Sequence, residues 1–199
     1  MNRLFTIAFF SFLLVGRAVL AQDPATGGGF AATCTDAATV NWNNPTTVNN
    51  ILIFAKAGSA ITVGTPTNNI TGSGNYDAPN NNFSLAAQTY QNDAAARLVY
   101  RSSTTANSFS LTGLTAGVTY HFLIFNASNP NNYSTALTFS GASLSAPPNP
   151  TGFAATVANA SSSLSWTNAT CGDEVLIVGK AGLSVTGTPT GNGSAYTGN

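Results

Sequence analysis

The chain has 199 residues, room for one large or two small domains, and is 43% hydrophobic, which excludes a chain too polar to bury a core. Only 6% of it is charged and the formal net charge is zero, so no basic patch exists to neutralise phosphates and nucleic acid is disfavoured as a partner. The polar surface must be Asn, Thr, Ser and Gly, which suit strands and turns better than helices.

Residues 1–21 read as a secretory signal peptide. Arg3 gives a positive start, Leu4 to Val15 is an apolar run, and Val19-Leu20-Ala21 is a small-residue cleavage signal with cutting before Gln22. The run is too short to span a bilayer comfortably, and no cysteine at the cut offers a lipid anchor. Export follows, to the medium or the cell surface, with no membrane insertion once the leader is gone. Cleavage removes Arg3 and Arg17 and leaves four basic against six acidic residues.

A loose Gly-rich lead, 22–29, comes next. The expected strands then follow in order. Phe30 to Cys34 is short. Ala38-Thr-Val-Asn-Trp-Asn43 alternates, with Ala38, Val40 and Trp42 inward. Ile51 to Lys56 is apolar on both faces. Arg97 to Arg101, Ser108 to Leu111, Tyr120 to Asn126 and Ala136 to Ser140 complete a set of seven. Between Leu111 and Tyr120 lies Leu-Thr-Gly-Leu-Thr-Ala-Gly-Val-Thr-Tyr. Leu111 and Leu114 anchor a tight corner there, Gly113 and Gly117 turn it, and Tyr120 sends its hydroxyl back to an upstream main-chain group. That is the tyrosine corner of Greek-key proteins, and the fold class is all-β, an immunoglobulin-like β-sandwich. Trp42, Phe109, Leu111, Tyr120, Phe122 and Ile124 are expected to share its core.

An internal repeat follows. Phe30-Ala-Ala-Thr33 recurs as Phe153-Ala-Ala-Thr156, Val40-Asn-Trp42 as Leu164-Ser-Trp166, and Ile51 to Gly58 as Val175 to Gly182. The expected organisation is a first module over 30–144, a Pro-rich linker at 145–150, and the N-terminal part of a second module over 151–199, with Trp166 in the place of Trp42. The second copy lacks the corner and the long tyrosine strand, so the reading is a truncated tandem repeat within a longer polypeptide.

The Trp on the second strand, the corner, Asn132-Tyr-Ser134 and the Pro-rich junction resemble fibronectin type III repeats. The Asn/Thr/Gly richness and the Gly64-Thr-Pro66 block resemble the version in exported, multidomain bacterial proteins of the Bacteroidetes kind. The resemblance implies a non-enzymatic extracellular module for spacing, adhesion or ligand presentation. Its partners would be other domains of the same chain, or an extracellular protein or polysaccharide. The alternative is an accessory, carbohydrate-contacting region of a secreted hydrolase or nuclease whose catalytic domain lies beyond residue 199.

No catalytic, cofactor-binding or metal-binding residue is assigned. His121 is the single histidine, and it builds neither a triad nor a zinc set. Asp77 and Asp93 lack calcium-loop spacing and read as turn residues. Lys56 and Lys180 match between the copies and read as structural. The Asn-x-Ser/Thr triplets at Asn69, Asn82, Asn126, Asn132, Asn159, Asn168 and Asn192 follow from composition. The segment Thr65 to Ala96 is an insert relative to the family. Because the sandwich takes one face of Tyr120 to Asn126, Leu123 and Phe125 fall outside. Phe83, Leu85 and Tyr90 then either cover them as a lid, or part of that apolar face stays open to a partner or glycan.

The two cysteines occupy different places in the repeats, so neither copy closes its own bridge. Strand directions put Cys34 at the pole facing module two, and Cys171 in a loop facing module one. A disulfide between modules is one expectation, and two unpaired thiols are the alternative.

Overall fold

The structure, a computed structural model, describes residues 22–70, 76–128, 131–169, 171 and 175–186; the expected signal peptide and its cleavage point lie outside them. Eleven strands and no helix occur among the described residues: β1 (Thr26–Ala32), β2 (Ala38–Asn43), β3 (Asn50–Ala57), β4 (Thr89–Tyr90), β5 (Asp93–Ser102), β6 (Ser108–Leu111), β7 (Thr119–Ser128), β8 (Asn132–Tyr133), β9 (Leu137–Ala142), β10 (Thr151–Val157) and β11 (Ser162–Thr167). One sheet has the order β1-β2-β6, a second runs β4-β5-β3-β7-β8 with β9 also paired to β7, and β10 and β11 form a separate two-stranded sheet. All pairings among named strands are antiparallel. The fold is an immunoglobulin-like β-sandwich.

β2 shows the pattern that a one-sided sheet demands. Ala38, Val40 and Trp42 are buried, while Asn41 and Asn43 are exposed. They meet Ile51, Ile53 and Ala55 of β3 and Tyr120, Phe122 and Ile124 of β7 in one cluster, with Leu111 at its edge. Phe109 is only half-buried and packs on that cluster from the rim, stacked on Tyr100. β3 and β7 are apolar on both faces because the other face is covered too. Leu52, Phe54, Leu123 and Phe125 form a second cluster with Ile61, Ile70, Tyr76, Tyr90 and Tyr133.

The first strand differs from its expectation. β1 begins at Thr26, inside the stretch 22–29 read as a loose lead, and Ala25 before it is already buried. The glycines are there for contact rather than looseness. A Cβ on Gly28 would sit 2.2 Å from the Phe139 ring, and one on Gly141 would sit 2.4 Å from Phe30. β1 and β9 therefore close one side of the sandwich by seating each strand's aromatic ring on the other's glycine. β5 also starts earlier than Arg97, and two short strands, β4 and β8, bring the count in the first unit above seven.

The second unit repeats the first hairpin. Thr26 opposes Asn43 and Gly29 opposes Asn41, one residue too many on β1, with Gly27 at φ +61° in the bulge. Thr151 opposes Thr167 and Ala154 opposes Ser165, with Gly152 at φ +63°. Trp42 Nε1–H donates to Asn44 Oδ1 (2.8 Å), and Trp166 Nε1–H to Asn168 Oδ1 (2.7 Å). By register Phe153 takes the place of Gly28, so the shared Phe-Ala-Ala-Thr block is displaced by two residues. Residues 175–180, the counterpart of β3, form no strand, and Trp166 is 38% exposed where Trp42 is 2%.

Candidate functional site

Two places on the sandwich concentrate buried polar chemistry and were singled out from sequence: the corner with its neighbouring cysteine, and the covered outer face. At the corner, Thr115 N–H donates to Tyr120 Oη (2.8 Å), five residues upstream of the ring. Ser143 Oγ–H donates to Thr115 C=O (2.6 Å), and Leu114 N–H donates to Asp36 C=O (3.0 Å). Leu114 is buried. The corner is thereby bonded to the β1–β2 loop, which is itself tightened by Thr33 and Cys34 N–H groups on Ala37 C=O. Cys34, on that loop, is joined to Cys171 in a disulfide with Cα atoms 5.6 Å apart. The bridge spans 137 positions and links the two repeat units.

On the outer face the structure assigns different residues from those read in the sequence. Of the three residues named from the sequence, Tyr90 covers it, fully buried against Phe54 and Phe125. Phe83 is not part of this cover. Its ring packs edge-on against Tyr120, 5.0 Å between centroids, so it caps the inner core. Leu85 belongs to neither and is 66% exposed. The physical reason is a tight turn: Leu85 and Ala86 N–H groups both bond Asn82 C=O, which turns Phe83 and Ala86 inward and leaves Leu85 outside. Ile61, Ile70, Tyr76 and Tyr133 take the roles sequence reasoning gave to Phe83 and Leu85. Leu123 and Phe125 are buried, so the apolar face of β7 is closed rather than open.

The cover is bonded at its polar tips. Tyr90 Oη–H donates to Gly64 C=O while Asn92 Nδ2–H donates to Tyr90 Oη (3.1 Å). Gln91 N–H donates to Tyr76 Oη (3.1 Å), and Tyr133 Oη–H donates to Asn68 C=O (2.6 Å). Gln91 Oε1 accepts from Thr67 and Asn68 N–H groups. Burial pushes the Tyr76 and Tyr133 hydroxyls above the ordinary tyrosine range. At the end of the cover Lys56 Nζ pairs with Asp93 Oδ2 at 2.8 Å, and Thr62 N–H donates to the same oxygen. That lysine holds the Asp93 carboxyl below its usual value of 3.8. His121 is half-buried beside Ile61, Val63, Thr138 and Ser140, and no cluster of three or more metal-ligating side chains occurs among the described residues.

Sequence reasoning missed one residue that organises much of this. Asn126 was read as a glycan-type triplet of compositional origin, but its side chain is fully buried. Its Nδ2 donates to the carbonyls of Asp23 (3.0 Å) and Thr47 (2.9 Å), and its Oδ1 accepts Asn49 N–H (3.0 Å). The chain entry, the β2–β3 loop and β7 are tied at one amide. The signal available in the sequence was an Asn at the end of an otherwise apolar strand.

No family model matches the chain, and no curated protein matches it. Among solved structures the chain is similar to FN3tt, at 10% identity over 64% of this chain and 99% of that one, with a TM-score of 0.40. It is similar to the fn3 domain of human collagen alpha-1(XX), at 14% identity over 68% of this chain and 98% of that one, with a TM-score of 0.42. A crystal structure of an FN3 domain of human collagen XX gives 15% identity over 63% of this chain and 99% of that one, with a TM-score of 0.39.

Proposed function

We propose that the chain is an exported, non-enzymatic module of the fibronectin type III kind, carried in a longer bacterial protein, where it spaces or presents neighbouring domains outside the cell. The observation that carries this reading is the disulfide between Cys34 and Cys171. Such a bond persists in an oxidising compartment and is rare in a reducing one. It does not close either hairpin; it couples one repeat unit to the next, which suits a part whose task is to hold geometry. The sparse charge and the Asn/Thr surface fit a spacer that does not steer ligands electrostatically.

The test is expression of the chain with its leader in a bacterial host with an oxidising periplasm. Mass spectrometry should find a mature N-terminus at Gln22 and no free thiol after denaturation without reductant. Full-length protein retained in the cytoplasm, or two alkylatable thiols in exported protein, would refute the reading.

A further inference from the structure

A cavity of about 380 Å³ lies between the end of β3, the tight turn at residues 82–86 and the start of β5, lined by Lys56, Phe83, Ala86, Ala87, Thr89, Ala94, Ala95 and Arg97 among others. Five of its nine lining residues are alanine, and its charged lining groups are two cations with no carboxylate. These are two of the four basic residues left after leader cleavage. Lys56 is offset by Asp93, but Arg97 has no acidic partner among the described residues.

The arginine is held in an unusual way. Its guanidinium carbon sits 5.4 Å from the Phe83 ring centroid. One nitrogen, Nη1, donates to three carbonyls, Phe83 and Ser84 at 3.4 Å and Ala86 at 3.1 Å. Nε and Nη2 make no hydrogen bond to the described protein. Arg101 provides the contrast. Its Nη1 is on Tyr76 C=O, and its Nε and Nη2 are both on Asn50 Oδ1. Nε and Nη2 form the side of a guanidinium that receives a carboxylate through two parallel N–H···O bonds. Here the plane is fixed by Nη1 and the ring, so little rotamer entropy remains to be lost on binding.

We propose that Arg97 and the alanine-walled cavity form a binding site for a carboxylate with a short aliphatic body, such as the C-terminal residue of a peptide. The carboxylate takes Nε and Nη2 of Arg97. The aliphatic part lies against Ala87, Ala94 and Ala95, and the third proton of Lys56 Nζ and the Thr89 hydroxyl supply the remaining polar contacts. The site is independent of whether the module spaces or adheres.

The experiment is titration of the oxidised full chain with N-acetyl-alanine, followed by NMR on the alanine methyls and the Arg97 Nε–H. Saturable shifts at Arg97, Ala87, Ala94 and Ala95 are expected, with a Kd of order 1 mM. N-acetyl-alaninamide, which lacks the charge, should give none. R97K, which keeps the charge and loses the fork, should weaken binding at least ~10-fold. Because R97K also loosens the 82–86 turn, A95L serves as a second variant. It fills the cavity from an exposed position and should abolish binding while the spectrum elsewhere stays unchanged. Absence of saturable shifts, equal binding of the amide, or full binding by A95L overturns the site. Equal or tighter binding of inorganic phosphate or glucuronate overturns the ligand assignment.

Discussion

Asn126 offers the sharpest test of how this sandwich is held. Replacing it with alanine removes three hydrogen bonds at once, two donated and one accepted, at a residue with no exposed surface. A single net bond contributes about 0.5–1.5 kcal/mol, and a buried group left unpaired costs about 1–3 kcal/mol. The partner groups on Asp23, Thr47 and Asn49 are part-buried, so water recovers some of the loss. The expected cost is therefore about 2–4 kcal/mol, against roughly 5–15 kcal/mol for a whole domain. Asn126→Asp separates hydrogen bonding from size. A carboxylate there would face two carbonyl oxygens, so its pKa is raised in the fold. The variant should be weakest at neutral pH and recover as the acid protonates and one donor returns. Urea unfolding of the oxidised protein at pH 7 and pH 5 measures both. An alanine variant within about 0.5 kcal/mol of the parent would refute the reasoning, since that is the range of an ordinary surface change.

Trp42→Ala should cost about 3–5 kcal/mol in the same assay, because the indole fills the centre of the inner core. Tyr90→Ala should uncover Phe54 and Phe125 and raise self-association in analytical ultracentrifugation, whereas Leu85→Lys, at an exposed position, should leave both stability and association unchanged. Asp93 is stabilised as a carboxylate by Lys56. Its contribution is complete above its unfolded value near 3.8 and is lost as pH falls below that through the lowered folded value; Asp93→Asn should flatten the acid limb of a stability–pH curve.

The parts of this fold that could be read in advance are those where one periodicity has one meaning. Alternation in β2 named its inward face, and apolarity on both faces of β3 and β7 marked a second apolar face, without saying whether it was covered or open. The corner was legible because a Tyr that opens a strand after a Gly-turned loop sends its hydroxyl back to an upstream main-chain group, here Thr115 N–H. The insert was opaque because a loop carries no period. Which of Phe83, Leu85 and Tyr90 faces inward is decided by the hydrogen bonds of the turn on Asn82, and those leave no pattern in apolar spacing. The repeat misled in one detail for a related reason. Matching letters aligned Phe30 with Phe153, but the bulge glycines Gly27 and Gly152 fix the register, and a bulge is invisible to a letter match.

The bridge between Cys34 and Cys171 encloses the Pro-rich stretch at 145–150 within its covalent loop. A protease that nicks that stretch therefore leaves the two fragments attached. The cut chain runs as one species without reductant and as two with it. The exposed junction becomes dispensable for continuity, and the tie that survives enters the first unit beside Asp36, whose carbonyl is bonded to the corner at Leu114. At the joint the backbone is the expendable connection, and the sulfur link is the one that keeps the second unit from being shed.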